Sequence, residues 1–350
     1  EATGLLWEWH VGHLREARKA EWGAKAIVAG GLTMKFEYKV FGKKPAGGRS
    51  LFISMHGGGA TDAAVNESQW QNQIRLYTPA EGVYLVPRAP TDAWNMWHQG
   101  HIDGMFARVI QDAVVMEGVD PARVYLMGYS AGGDGVYQLA PRMADYFAAA
   151  SMMAGHPNDA SAEGLRNLPF AIHMGANDSA FDRNKVAAAW GAKLDALAKA
   201  DAGGYEHVVK LHEGKGHWMD RQDAVAVEWM AGHSRRTTPE RVVWRQAAGT
   251  HWGFYWLGND GPVAGELIDG RREKNVVTVG EGTTAPAFTL LLNDSVVDLD
   301  QLVVVKRGEV EVMGVKVERT IGAMCESLAG RGDPGMVYVG KARVGNRDGK

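Results

Sequence analysis

Between about residues 33 and 233 the hydrophobic positions alternate between two rhythms. Short apolar runs, "TMKFEYKVF", "LFISM", "VYLVP", "VYLM", "FAAASMM", "FAIHM" and "HVVKL", read as strands, several of them apolar at nearly every position. Stretches at helical spacing lie between them. Ile102, Met105, Phe106, Val109 and Ile110 make one apolar face, and Val186, Trp190, Leu194 and Leu197 make another. Strand and helix in alternation predict a mostly parallel sheet covered on both faces, an α/β fold of the doubly wound kind.

After "WMAGHSRRTTPERVVW" the helical rhythm stops. Runs such as "NVVTV", "AFTLLL", "LVVVKRGEVEV" and "VYVGKARV" follow, broken by Gly, Asn and Asp. Val303, Val305, Val310 and Val312 alternate across "KRGE", which predicts a hairpin. The expected organisation is therefore a larger α/β domain over residues 1–237, opening with a helix over 1–25, and a small all-β accessory domain over 238–350. Trp7, Trp9 and Trp22 are expected to anchor that first helix on the main body.

Chemistry enters at "VYLMGYSAGGDGVYQL". Ser130 falls where the run Val124 to Met127 ends and a helical pattern carrying Val136, Leu139, Ala140 and Met143 begins. Gly128 and Gly132 complete G-x-S-x-G, a spacing that lets a strand turn sharply into a helix because neither flank carries a Cβ. A serine at such a turn is lifted clear of the backbone at a helix N-terminus, where developing negative charge is favoured. A glycine-rich turn whose serine merely caps the helix would use the same pentapeptide.

A serine hydroxyl needs a base within reach and a group that orients the base. In a parallel sheet these belong after the carboxyl ends of strands. "HGGG" follows "LFISM" and offers Gly58 and Gly59 as unobstructed oxyanion donors, with the Ala131 N–H as the second source. His56, which precedes the serine, reads as a structural residue of that loop. "GANDSAFD" follows "FAIHM" and offers Asp178, which a short turn places near the strand end, or Asp182, which could instead cap the next helix. "HEGKGHWMD" follows "HVVKL"; His212 borders the strand, whereas His217 sits in a glycine-rich loop able to carry its ring over the sheet.

The order Ser130, Asp178, His217, with "HGGG", "GYSAGG", "GAND" and "GKGHW" each after a strand, resembles α/β-hydrolase serine esterases, particularly the group related to polyhydroxyalkanoate depolymerases and feruloyl or acetyl esterases. The resemblance implies Ser130 as nucleophile, His217 as general base and then acid, Asp178 as the orienting carboxylate, and Gly58, Gly59 and Ala131 around the oxyanion. It implies hydrolysis of a small-molecule carboxylic ester with a short to medium acyl chain and calls for no cofactor. The β-rich C-terminal region resembles an appendage of some hydrolases of this group. A prolyl-oligopeptidase-like peptidase shares fold and triad order, but the segment before the hydrolase region is too short for the β-propeller such enzymes carry. A non-catalytic binding protein on the same fold would be expected to have lost one of these elements. The single cysteine, Cys325, departs from the cysteine framework of many secreted depolymerases and puts polymer substrates in doubt.

The substrate pocket is expected from loops at the same sheet edge: Trp94, Trp97 and His98 of "TDAWNMWHQG", Tyr129 beside the serine, and Met153 and His156 of "MMAGHPND". His10 with His13 and His98 with His101 make H-x-x-H pairs, but no carboxylate motif accompanies them, so no metal site is expected. The formal net charge of −3 offers no electrostatic footprint for nucleic acid, and no stretch is apolar enough to span a bilayer. A soluble protein is expected; the sequence leaves secreted, periplasmic and cytoplasmic locations and the oligomeric state open.

Overall fold

The computed structural model describes residues 2–247 and 251–345. It divides into two compact units, one made of Arg15–Arg235 and the other of the described residues of Glu1–Leu14 and Arg236–Lys350. The sequence expectation kept the whole first helix with the larger α/β domain. Helix α1, Ala2–Ala24, instead has its first residues grouped with the C-terminal unit. Leu6 and Trp7 pack there against Met324, Leu328 and Val337. Trp22 anchors as expected, buried and donating its indole N–H to Tyr38 Oη at 3.0 Å, whereas Trp9 is exposed and stacks on His13.

The Arg15–Arg235 unit is built on an eight-stranded sheet: β1 Ala26–Ala29, β2 Leu32–Phe41, β3 Arg49–Met55, β4 Gly82–Pro87, β5 Val119–Tyr129, β6 Ala149–Met153, β7 Phe170–Gly175 and β8 His207–His212, in the order β1-β2-β4-β3-β5-β6-β7-β8. The β1–β2 and β2–β4 pairs are antiparallel and the remaining pairs parallel. Helices α2 Ala63–Gln73, α3 His101–Glu117, α4 Ala131–Arg142, α5 Arg183–Ala200 and α6 Val225–Ala231 connect or follow the strands. Strands β4, β6 and β7 are buried at every residue, which is why they read as continuous apolar runs rather than as alternation. On α3 the apolar face named above is buried, and Gly118 in the left-handed region (φ 66°) ends the helix.

This topology brings the ends of β3, β5, β7 and β8 to one edge of the sheet, and the motif-bearing loops follow those ends. The order of strands and the single antiparallel β2 at the start of the mixed sheet are those of the α/β-hydrolase fold.

The second unit contains two sheets. β9 Arg241–Arg245, β12 Leu267–Glu273, β13 Val276–Val279, β15 Val303–Arg307 and β16 Val310–Val315 form one, and β10 Gly253–Phe254, β11 Leu257–Gly258, β14 Ala287–Leu292 and β17 Gly340–Gly345 form the other. The hairpin around "KRGE" is present, with Arg307 opposite Val310 and Gly308 at φ 59°. The unit also carries helix α7, Ile321–Arg331, so it is β-rich rather than all-β.

Candidate active site

Ser130 holds a strained backbone (φ 58°, ψ −122°), a conformation that costs a residue with a Cβ about 1–3 kcal/mol and persists only where neighbours enforce it. The enforcement is visible. A Cβ on Gly128 would lie 2.2 Å from the Gly132 carbonyl oxygen, and one on Gly132 would lie 2.1 Å from that of Met55, so the start of α4 packs where side chains do not fit against the ends of both β5 and β3. The Ser130 N–H donates to the Met153 carbonyl at 2.9 Å, tying the turn to β6. Ala131 opens α4, so its N–H has no acceptor within the helix.

The Ser130 Oγ lies 2.9 Å from His217 Nε2, and His217 Nδ1 lies 2.7 Å from Asp178 Oδ2. The carboxylate selects the Nδ1–H tautomer, which leaves Nε2 as the acceptor for the serine hydroxyl. Asp178 is 3% exposed. Its own N–H donates to the Gly175 carbonyl at 3.0 Å in the short turn after β7, and Arg183 stands 3.5 Å from its other oxygen. Asp182 lies elsewhere: it is exposed, pairs with Lys185 at 2.8 Å and makes no side-chain cap on α5. His212 stacks on the buried His173. A hydroxyl, an imidazole and a carboxylate joined in this way can pass a proton from oxygen to nitrogen as the oxygen attacks an electrophile.

The loop after β3 is organised from beneath. His56 is fully buried; its Nε2 accepts the Ala89 N–H at 3.1 Å, so Nδ1 carries the proton and donates to the Gly57 carbonyl at 2.6 Å. Burial holds its pKa down at about 4, and the ring is neutral. The Trp97 indole N–H donates to the His56 carbonyl at 2.9 Å. Gly58 and Gly59 both have positive φ (107° and 82°), and a Cβ on Gly58 would lie 2.1 Å from Asn66 Oδ1. That oxygen accepts the Gly59 N–H at 2.8 Å, which corrects the expectation for Gly59: its amide is already bonded. Gly57 and Gly58 are the loop glycines that line the cavity with Ser130.

That cavity, about 680 Å³, is also lined by Val65, Gln69, Leu76, Tyr129, His217 and Trp218, with Arg75 and Arg221. Of the residues expected to form the pocket, Tyr129 alone lines it. Trp97 and Met153 are fully buried, the first supporting the His56 loop and the second accepting from Ser130. Trp94 is exposed and meets His98 edge-on, and His98 has a half-buried ring whose pKa burial lowers to about 4. The His156 N–H donates to Asp134 Oδ1 at 2.6 Å, while its Nδ1 accepts from the Asn158 N–H. The wall comes instead from α2 and the residues after it. Sequence periodicity passes over this helix because its buried positions, Asn66, Trp70 and Gln73, are mostly polar. The one available signal is position: it follows the glycine loop directly.

Among the described residues, no group of three or more His, Cys, Asp or Glu is arranged to hold a metal ion, and no helix is long and apolar enough to cross a membrane.

Residues 87–235 match the model of the dienelactone hydrolase family. Among solved structures, a thermostable esterase is 18% identical, with 60% of this chain and 62% of that chain aligned and a TM-score of 0.45, so the match spans less than two thirds of that esterase. A poly(3-hydroxybutyrate) depolymerase from Bordetella parapertussis is 16% identical over 59% of this chain and 86% of its own, with a TM-score of 0.44. A feruloyl esterase module from Clostridium thermocellum is 14% identical over 59% of this chain and 86% of its own, with a TM-score of 0.42. No curated protein matches the chain significantly. The strand order of the Arg15–Arg235 unit is that of the α/β-hydrolase fold, and the stretch matched by the dienelactone hydrolase family model lies within that unit.

Proposed function

We propose that the protein hydrolyses carboxylic esters through an acyl-enzyme formed on Ser130. The observation that carries this reading is the continuous chain from Ser130 Oγ through His217 to the buried Asp178, opening at its serine end on the 680 Å³ cavity.

In the proposed reaction Ser130 Oγ attacks the ester carbonyl while His217 Nε2 takes its proton, and Asp178 stabilises the imidazolium that forms. The oxyanion accepts from the Ala131 and Gly58 N–H groups; a donor of this kind is worth about 10²–10³ in rate. His217 then gives its proton to the departing alcohol. Water, deprotonated by the same nitrogen, attacks the acyl-enzyme and releases the acid. Every step uses only groups of this chain and one water.

Val65, Leu76 and Trp218 offer apolar surface for a short to medium acyl chain. The test is a graded panel of p-nitrophenyl esters from acetyl to lauroyl, with aryl-amide and hydroxycinnamoyl ester controls, run on wild type beside Ser130→Ala. Ester turnover that vanishes in the variant is expected. Faster turnover of the aryl amides would favour a peptidase, and no turnover of any substrate by folded wild type would overturn the ester reading.

A further inference from the structure

Tyr129 immediately precedes Ser130 at the end of β5 and takes no part in the proton transfers above. Its hydroxyl donates to the His217 carbonyl oxygen at 2.6 Å and accepts the Met219 N–H at 3.1 Å. One oxygen thus joins both backbone groups that flank Trp218. The phenol ring, 8% exposed, also stands nearly perpendicular to the His217 ring with centroids 6.0 Å apart, and lies 5.8 Å from the Trp218 ring.

The loop needs such a tie. Residues 213–220 contain no helix or strand, and Gly214 and Gly216 sit in open space, so the chain has little local stiffness of its own. Other bonds hold its beginning: the Asn177 N–H donates to the Lys215 carbonyl at 2.8 Å, and the Lys215 N–H to that of His212 at 3.2 Å. Lys215 pairs with Asp220 on the exposed side. From β5 it is the Tyr129 hydroxyl that reaches the backbone at residues 217–219.

We propose that Tyr129 is a positioning residue: by clamping the backbone on either side of Trp218, it refers the His217 imidazole to the same rigid strand end that presents Ser130. The proposal rests on reading Ser130, His217 and Asp178 as the reacting unit. Nucleophile and base come from loops 87 residues apart in sequence, and their separation matters because a displacement of about 1 Å can cost about 10²-fold in rate. Burial raises the Tyr129 phenol above its ordinary range, so the hydroxyl keeps the proton it donates.

The experiment compares Tyr129→Phe, alone and combined with His217→Ala, with Tyr125→Phe as control. Tyr125 lies on the same strand and its hydroxyl likewise donates to a backbone carbonyl, that of His233 at 2.9 Å, away from the His217 loop. Two rates are read: ester turnover, and covalent labelling of Ser130 by a fluorophosphonate, which reports the activated hydroxyl without a matched ester. Tyr129→Phe is expected to lower kcat and labelling by about 10–100-fold with KM changed less than about threefold. The same change in the His217→Ala background is expected to have no further effect, and Tyr125→Phe to keep the wild-type rates. Rates for Tyr129→Phe within about twofold of wild type, or an equal loss with and without His217, would overturn the proposal. Labelling without ester turnover would remove the ester assignment and leave the clamp testable by labelling; a wild-type serine that does not label would overturn both.

Discussion

Asn66 accepts the Gly59 N–H on its side-chain oxygen and donates its side-chain amide to Asp92 at 2.7 Å, so one fully buried asparagine holds the glycine loop facing Ser130. Asp92 is held in turn by Arg88. Replacing Asn66 by Ala leaves the Gly59 N–H without its partner and frees the space against which Gly58 is folded. The expected result is a loss of about 1–3 kcal/mol in unfolding free energy and a fall of about tenfold or more in kcat, checked by urea titration and steady-state kinetics on the same sample.

The two carboxylates after β7 separate cleanly in the structure, and their variants should separate as cleanly in rate. Asp178→Asn removes the acceptor that selects the His217 tautomer and is expected to lower kcat by about 10⁴-fold. Asp182→Asn touches only an exposed pair with Lys185 and should leave turnover near that of wild type. Ser130→Ala and His217→Ala should each remove about 10⁶-fold with circular dichroism unchanged. Equal rates for the two aspartate variants would take the orienting role from Asp178.

His56 makes stability depend on pH. Folded, its pKa is lowered to about 4 by burial, with no site for a second proton because Nε2 faces the Ala89 N–H. The unfolded chain takes up that proton near the ordinary histidine value of about 6.5. The unfolded state therefore binds more protons below that value. Stability from this residue is complete above about pH 6.5 and is lost as pH falls through 4, by about 3 kcal/mol at pH 4. His173, lowered to about 3 by burial, acts in the same direction. Urea midpoints should hold between pH 7.5 and about 6.5, then fall toward pH 4.5 for wild type and fall less steeply for His56→Asn; parallel slopes would remove His56 as the source.

Arg75 and Arg221 line the cavity; Arg75 donates to the Gln71 carbonyl at 3.2 Å, and Arg221 acts electrostatically on the buried Asp223. Esters carrying a carboxylate, such as the p-nitrophenyl half-ester of succinic acid, should therefore be preferred over butyrate of similar size. The preference in kcat/KM should shrink as salt rises and drop by about tenfold in Arg221→Gln. A ratio that ignores both salt and the substitution would assign the arginines to solvent.

The meeting of Ser130, His217 and Asp178 is legible in the sequence because the proposed chemistry demands particular residue types at particular strand ends, and apolar runs locate strand ends well when both faces of a sheet are buried. Every run named from residue 33 to 233 corresponds to a strand. β1 leaves no signal because four residues, "AIVA", are too few to show a period. The cavity wall escapes the sequence for a different reason. Aromatic and apolar residues at the right edge, Trp97 and Met153, are satisfied by packing inward, whereas the true wall stands on a helix whose buried face carries Asn66 and Gln73. Apolar periodicity has no means of finding such a helix. Helix α7 did leave a signal at its ends: Thr320 accepts the Ala323 N–H, and Gly332 closes the helix at φ 64°.

The cavity wall and the proposed reacting groups are drawn from largely separate stretches of chain. Much of the cavity surface comes from a single run, residues 65–76, while Ser130, Asp178 and His217 come from three other loops. Substitutions in that one run, at Val65, Gln69, Asn72, Arg75 or Leu76, can therefore reshape what the cavity admits while leaving the proton path intact. Such a division gives the scaffold a short cassette in which substrate range can drift under selection, with Asn66 as the position in it that must stay still.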